Sequence, residues 1–293
     1  MGPFGELLTA VITPFHADGS VHYERMARLA VHLVDNGHDG VLVTGTTGES
    51  PTLTDTEKLA LYSTVVEAVG TRAAVVAGTG TYDTHHSVEL SVRAAETGVD
   101  GLMAVTPYYS RPPQAGLLAH FTAIADATDL PLMVYNIPGR TARLIEAETL
   151  AEMAQHPRIV ATKDAVGDLA YTKASLELLP EGFLVYSGDD SATLPVLEAG
   201  GKGVVSVAGH FAGRQIKRMI EAQRAGDGAE AWRLHDGLMP LFDACFLEPN
   251  PMPTKAGLNA LWESVGDPRL PLVPASHKTR QAVVAAVGMA QRL

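Results

Sequence analysis

The chain has 293 residues, 46% of them hydrophobic and only 6% aromatic, with 33 acidic against 22 basic side chains and a formal net charge of −11. That length suits one α/β barrel with a short extension, and the aliphatic content supplies a large core. The acidic balance speaks against a nucleic-acid or anionic-membrane surface, and the single cysteine, Cys245, excludes an internal disulfide.

The opening residues, Met1 to Glu6, have no basic region leading into an apolar run, so no secretory signal is expected. Gly2 invites a myristoylation reading, but Glu6 stands where Ser or Thr is wanted. No apolar stretch is long enough for a membrane span, and the absence of paired thiols makes a reducing cytoplasm the expected compartment. Cys245 reads as a buried core thiol.

Leu8 to Thr13 is the first short apolar run, followed by Tyr23 to Asn36, where Met26, Leu29, Ala30 and Leu33 recur at helical spacing before Gly37. The second run, Val41 to Thr44, leads into Gly45-Thr46-Thr47-Gly48-Glu49-Ser50. Two glycines bracketing two hydroxyls offer backbone N–H groups and side-chain donors to a small anion; a flexible loop with helix-capping threonines explains the pattern equally well. Thr54 with Glu57 three residues later is a capping-box start for the next helix.

After the third run, Ala73 to Ala77, Gly78-Thr79-Gly80 lacks the third glycine of a dinucleotide fingerprint and reads as a turn. His85 and His86 are adjacent, which places their imidazoles on different faces of a helix. No histidine spacing in the chain suits a metal, so no metal site is expected. The fourth run, Leu102 to Thr106, opens into Pro107-Tyr108-Tyr109-Ser110-Arg111-Pro112-Pro113, whose tyrosines suit an interface more often than catalysis. The fifth, Leu132 to Tyr135, is followed by Asn136-Ile137-Pro138-Gly139-Arg140-Thr141. Tyr135 can exchange protons, and Arg140 can grip a carboxylate in bidentate fashion.

Ile159 to Thr162 is the sixth run, and Lys163 closes it. A lysine at a strand end ordinarily reaches back to water; kept dry, its amine becomes a nucleophile. Leu169 to Leu179 reads as a helix. Phe183 to Ser187 is the seventh run, followed by Gly188, Asp189 and Asp190; the two carboxylates at a helix start over 190–199 are expected to cap it. Their charge also disfavours the phosphate site that many barrels build there. Val204 to Val207 is the eighth run. Helices are expected over Ala229 to Phe246, from Thr254, and over His277 to Gln291, punctuated by Glu248-Pro249-Asn250-Pro251-Met252-Pro253.

Eight β-branched runs spaced roughly 20 to 33 residues apart, with helical segments between them, predict a (β/α)8 barrel over residues 1–226. Residues 227–293 then form a small C-terminal helical extension. Chemistry in this architecture sits at the C-terminal strand ends. There the chain gathers an amine, a phenol, hydroxyl donors and a guanidinium, which is equipment for Schiff-base chemistry on an acidic carbonyl compound.

In order and spacing, GTTGES, TPYYSRP, YNIPGRT, KDAVGD and YSGDD resemble the dihydrodipicolinate synthase/N-acetylneuraminate lyase family, from about Leu7 through PNPMPTK to the C-terminus. Arg140 in YNIPGRT resembles the synthase branch. The resemblance implies condensation of pyruvate with L-aspartate 4-semialdehyde to 4-hydroxy-tetrahydrodipicolinate, with no cofactor beyond the covalent adduct on Lys163. It implies that Tyr135 shuttles protons, relayed through Thr46 and, across a subunit interface, Tyr109. Thr47 and the loop amides would hold the pyruvate carboxylate, Arg140 the semialdehyde carboxylate, and Gly188 and Val205 would border the site. The usual assembly of the family is a homotetramer, a dimer of dimers.

A regulatory cleft for lysine would fall at Ser50, Lys58, Tyr82, His86 and Tyr108. Lysine-sensitive members often have His at the position of Lys58, Asn at that of Tyr82 and Glu at that of His86, so weak or absent lysine inhibition is expected. Ser110 stands where Asn is frequent. The alternatives are a sister pyruvate-dependent lyase or dehydratase acting on keto sugar acids, and a non-catalytic ligand-binding barrel.

Overall fold

The eight apolar runs form β1 Leu7–Ala10, β2 Gly40–Val43, β3 Ala74–Gly78, β4 Gly101–Val105, β5 Leu132–Asn136, β6 Ile159–Asp164, β7 Leu184–Ser187 and β8 Gly203–Ser206. In the computed structural model, which describes residues 2–293, the strands pair in parallel in chain order. The sheet closes where β8 meets β1, with Leu8 opposite Val205. The (β/α)8 barrel expected from the runs is the observed fold.

Side-chain alternation along each strand makes two cores from one sheet. Leu8, Leu42, Val76, Met103, Met133, Ala161, Tyr186 and Val205 pack together inside the barrel. Val41, Val43, Val75, Leu102, Leu132, Val134 and Ile159 belong to the core between the sheet and the helices. Phe4 joins the inner cluster, and Gly101 makes room for it: a Cβ there would stand 2.4 Å from Phe4 Cε1.

The helices between strands are α1 Tyr23–Asp35, α2 Asp55–Val69, α3 Thr84–Ala95, α4 Gln114–Asp126, α5 Pro138–Thr141, α6 Ala147–Met153, α7 Leu169–Leu178 and α8 Thr193–Glu198. After β8 come α9 Gly209–Arg224, α10 Gly228–Ala244, α11 Met252–Leu261 and α12 His277–Ala290. The four apolar positions picked out in α1 are all buried. The Thr54–Glu57 capping box forms as its spacing predicts.

The helix expected over 190–199 does not start at Asp190. α8 is shorter than 190–199, and its N-cap, Ala192, has no side-chain cap. Pro195 lacks an N–H and fits only the first helical turn, so the helix cannot extend back to Asp190. The Asp190 carboxylate instead crosses to the β8–α9 connection, accepting from the Val207 and Ala208 amides at 2.9 Å each and from the Ser206 hydroxyl. Asp189 accepts from the amide and hydroxyl of Ser191.

The C-terminal helices share a core with α9: Ile216, Met219 and Ile220 meet Leu234, Leu238 and Leu241 of α10, and Val283 and Val287 of α12. Cys245 is buried there, and burial pushes its thiol pKa up. Among the described residues no helix is long and apolar enough to cross a membrane.

Candidate active site

Tyr135 and Lys163 are register partners on β5 and β6, so both side chains enter the barrel from the same face of the sheet. The Lys163 amine lies 4.2 Å from the centroid of the Tyr135 ring. Lys163 is only 5% exposed. Burial, reinforced by the Arg140 charge and opposed by the Asp190 carboxylate, brings its pKa down to about 7. At neutral pH a large fraction of the amine is therefore unprotonated. Burial moves Tyr135 the other way, up to about 12, while Arg140 and a hydrogen bond with the Thr46 hydroxyl pull it back. The phenol thus stays protonated, a proton donor beside a nucleophile.

Gly188 follows β7 and lies directly against this lysine: a Cβ would stand 3.2 Å from Lys163 Cε and 2.7 Å from Ala165 Cβ. Val205 of β8 packs in the same inner cluster as Tyr135. Arg140 stands on α5, and Asn136 builds the turn that presents it. The Asn136 amide donates to Ile145 O at 3.0 Å and to the Tyr171 hydroxyl at 2.9 Å, and Asn136 Oδ1 accepts from the Ile145 amide at 3.1 Å. Arg140, Thr46, Ser50, Tyr108 and Tyr135 line one cavity of about 220 Å³.

The loop after β2 carries Thr46 and Thr47. Its helix is capped by Thr54, so the reading of Thr46 and Thr47 as helix caps falls away. Among the described residues the amides of Thr46 and Thr47 donate to no protein acceptor, leaving a donor pair suited to an anion. The loop is clamped from several sides. Thr13 Oγ1 donates to Gly48 O at 2.6 Å, and Asn250 Nδ2 donates to Thr47 Oγ1 at 2.8 Å. Glu49, with φ +57°, accepts from the Arg269 amide at 2.8 Å and pairs with Lys255 Nζ at 2.6 Å. None of these clamps was found in the sequence. Asn250 sits in the proline-punctuated stretch, where its residue type points only to a turn, and Lys255 in the helix expected from Thr254.

Tyr109 lies outside this chain's cavity, 95% exposed with φ +71°. The five residues of the expected regulatory cleft divide into two groups. Ser50 and Tyr108 line the cavity, and Tyr82 packs edge-to-face on Tyr108 at 5.4 Å. Lys58 and His86 gather instead on Asp55, at 3.9 and 2.8 Å, with Arg93 at 3.8 Å. His85 pairs separately with Glu89, so the adjacent imidazoles do diverge.

The Dihydrodipicolinate synthetase family matches residues 3–290. The 4-hydroxy-tetrahydrodipicolinate synthase of Synechococcus elongatus is 53% identical over 282 residues, covering 96% of this chain and 94% of its own. That of Moorella thermoacetica is 51% identical over 284 residues, covering 97% of each chain. Among solved structures, a dihydrodipicolinate synthase from Cyanidioschyzon merolae with lysine bound superposes with a TM-score of 0.97 at 45% identity over 100% of both chains. Dihydrodipicolinate synthase DapA-2 from Bacillus anthracis gives 0.95 at 43% identity, covering 97% of this chain and 98% of its own.

Proposed function

The chain belongs to the dihydrodipicolinate synthetase family, and from that premise we propose that it is a lyase condensing pyruvate with L-aspartate 4-semialdehyde to 4-hydroxy-tetrahydrodipicolinate through a Schiff base on Lys163. Its relatives at about half identity over nearly the whole chain are named 4-hydroxy-tetrahydrodipicolinate synthase, which supports this product. The single observation that carries the mechanism is the dry Lys163 amine, with a pKa near 7, lying over a protonated Tyr135 phenol.

The neutral amine adds to the pyruvate carbonyl carbon, and the phenol supplies the proton that lets the carbinol oxygen leave as water. The resulting iminium withdraws electrons from the methyl carbon, whose proton passes to the Tyr135 phenolate as the iminium becomes an enamine. The enamine carbon attacks the aldehyde carbon, the aldehyde oxygen takes the proton held by the Tyr135 phenol to become a hydroxyl, and the iminium re-forms. The semialdehyde's amino group, giving up a proton to the phenolate, then adds to that iminium and displaces the Lys163 amine by transimination as the ring closes. A positioned proton donor is worth about 10²- to 10⁴-fold in such steps.

Thr47 and the unpaired loop amides hold the pyruvate carboxylate, Thr46 passes protons to Tyr135, and Arg140 grips the semialdehyde carboxylate with its planar fork. Gly188 and Val205 shape the wall beside the adduct. Tyr109 serves the site of a neighbouring subunit in a homotetramer. No cofactor beyond the adduct enters this scheme. Residues 1–226 act as the catalytic barrel and 227–293 as an extension that supports it, in an enzyme of cytoplasmic amino-acid biosynthesis.

Borohydride reduction in the presence of pyruvate, read by mass spectrometry, is expected to leave one adduct on Lys163, and the protein is expected to turn over the semialdehyde. An adduct without semialdehyde turnover moves the assignment to a sister lyase; no adduct ends the Schiff-base mechanism. Lysine inhibition is expected to be weak or absent, because Lys58 adds a like charge and His86 stands where a carboxylate would meet an incoming ammonium, and both gather with Arg93 on Asp55. Initial rates unchanged by micromolar L-lysine are the expected result; a clear drop ends this reading.

A further inference from the structure

Asn250 belongs to the C-terminal extension, yet its side chain reaches the loop after β2. It is 6% exposed, and its Nδ2 donates to Thr47 Oγ1 at 2.8 Å across 203 residues of sequence. Asn250 Oδ1 is buried without a partner, so the amide is held in place by this one bond. The same segment supplies Lys255, whose ion pair with Glu49 fixes the backbone two residues beyond Thr47.

A hydroxyl has one proton to give and two lone pairs to receive with. With Asn250 donating into a lone pair of Thr47 Oγ1, the Thr47 proton is left for another acceptor, and among the described residues it finds none in the protein. The unpaired amides of Thr46 and Thr47 lie in the same stretch of chain. We propose that Asn250 is a positioning residue: by donating to Thr47 Oγ1 it fixes that hydroxyl as a donor and so sets the affinity of the loop for the carboxylate of the keto-acid substrate. The proposal rests on the assignment of Thr47 to the pyruvate carboxylate.

Asn250→Asp tests this almost without change of shape. It replaces the donor by an acceptor, turns the Thr47 proton away from the substrate and adds a negative charge beside the carboxylate subsite. The Lys163–Tyr135 pair is untouched, so pyruvate affinity should suffer while the maximal extent of reaction does not. Losing one hydrogen bond to a charged group predicts a roughly ten- to hundredfold rise in the pyruvate concentration for half-maximal borohydride trapping, and in pyruvate KM. The plateau of trapping on Lys163 should match the wild type.

Asn250→Ala, which frees the Thr47 hydroxyl without reversing it, should give a smaller rise. On a Thr47→Val background it should have no further effect, because the hydroxyl through which it acts is gone. Half-saturation of Asn250→Asp within twofold of wild type overturns the proposal, as does an undiminished Asn250→Ala effect in the Thr47→Val protein. If thermal melts show Asn250→Asp unfolded, the Asn250→Ala and Thr47→Val cycle decides alone. Wild-type protein that gives no adduct at any pyruvate concentration defeats the Schiff-base reading and this proposal together. Failure of the proposal alone leaves wild-type trapping intact.

Discussion

Burial acts on Lys163 in two ways at once. It lowers the amine pKa from 10.5 to about 7, which favours the unprotonated form that the proposed Schiff-base step needs, and it makes folding dependent on pH. Below about pH 7 both folded and unfolded chains carry the proton, and the folded state bears the whole desolvation penalty. Between about pH 7 and 10.5 the unfolded chain keeps a proton that the folded chain has released, so stability rises by about 1.4 kcal/mol per pH unit. Lys163→Met keeps an unbranched side chain and removes the titration. We expect it to be inactive, to form no adduct, and to be more stable than wild type below about pH 7. That advantage should shrink by about 1.4 kcal/mol per unit as pH is raised towards about 9, as read by urea denaturation. A difference independent of pH would show that the folded protein keeps this amine solvated.

Among the elements, the loop after β2 depends most on distant parts of the chain. The side chains of its Glu49 and of Lys255 in α11 are each 1% exposed and 2.6 Å apart, with Lys255 Nζ also 4.1 Å from the centroid of the Phe15 ring. Burial lowers the Lys255 pKa to about 8 while Glu49 holds it up. Removing one partner strands the other charge in a dry site, so Lys255→Met should cost about 3 to 5 kcal/mol. Glu49→Gln combined with Lys255→Met should recover much of that loss, because no unpaired charge remains. Equal destabilisation of the single and double variants in chemical denaturation would mean that packing, not charge, holds the loop. This loop also marks how far the sequence could be read. Features set by near neighbours were legible: the eight runs, the α1 stripe, the Thr54–Glu57 cap, and the arrival of Tyr135 and Lys163 at one end of the barrel. What joins distant residues was not. Asn250 meets Thr47 across 203 residues and Arg269 meets Glu49 across 220. Asp190 reads locally as the cap of its own helix, but Pro195 delays that helix and the carboxylate serves the β8–α9 connection.

At the scale of the whole molecule, the closed sheet brings Thr46, Tyr135, Lys163, Gly188 and Val205 from five strands to one rim, yet leaves Tyr109 outside. A bulky aromatic side chain at φ +71° and 95% exposure combines backbone strain with an uncovered apolar ring. The proposed tetramer would cover this ring with a second copy of the chain and place the phenol in the neighbour's proton relay. Mixing two inactive variants tests that directly. Tyr109→Phe keeps its own lysine but lends no phenol, and should lose about 10²-fold or more in turnover. Lys163→Met lends the phenol but forms no adduct. If Tyr109 acts across the interface, a mixed pair contains one site with both groups intact. Random reassembly of equal amounts, after unfolding and refolding together, then restores about a quarter of all sites. If Tyr109 acts within its own chain, every subunit still lacks one group, and the mixture stays as inactive as its components. Turnover of the co-refolded mixture, set against the same variants refolded separately and then combined, distinguishes the two arrangements.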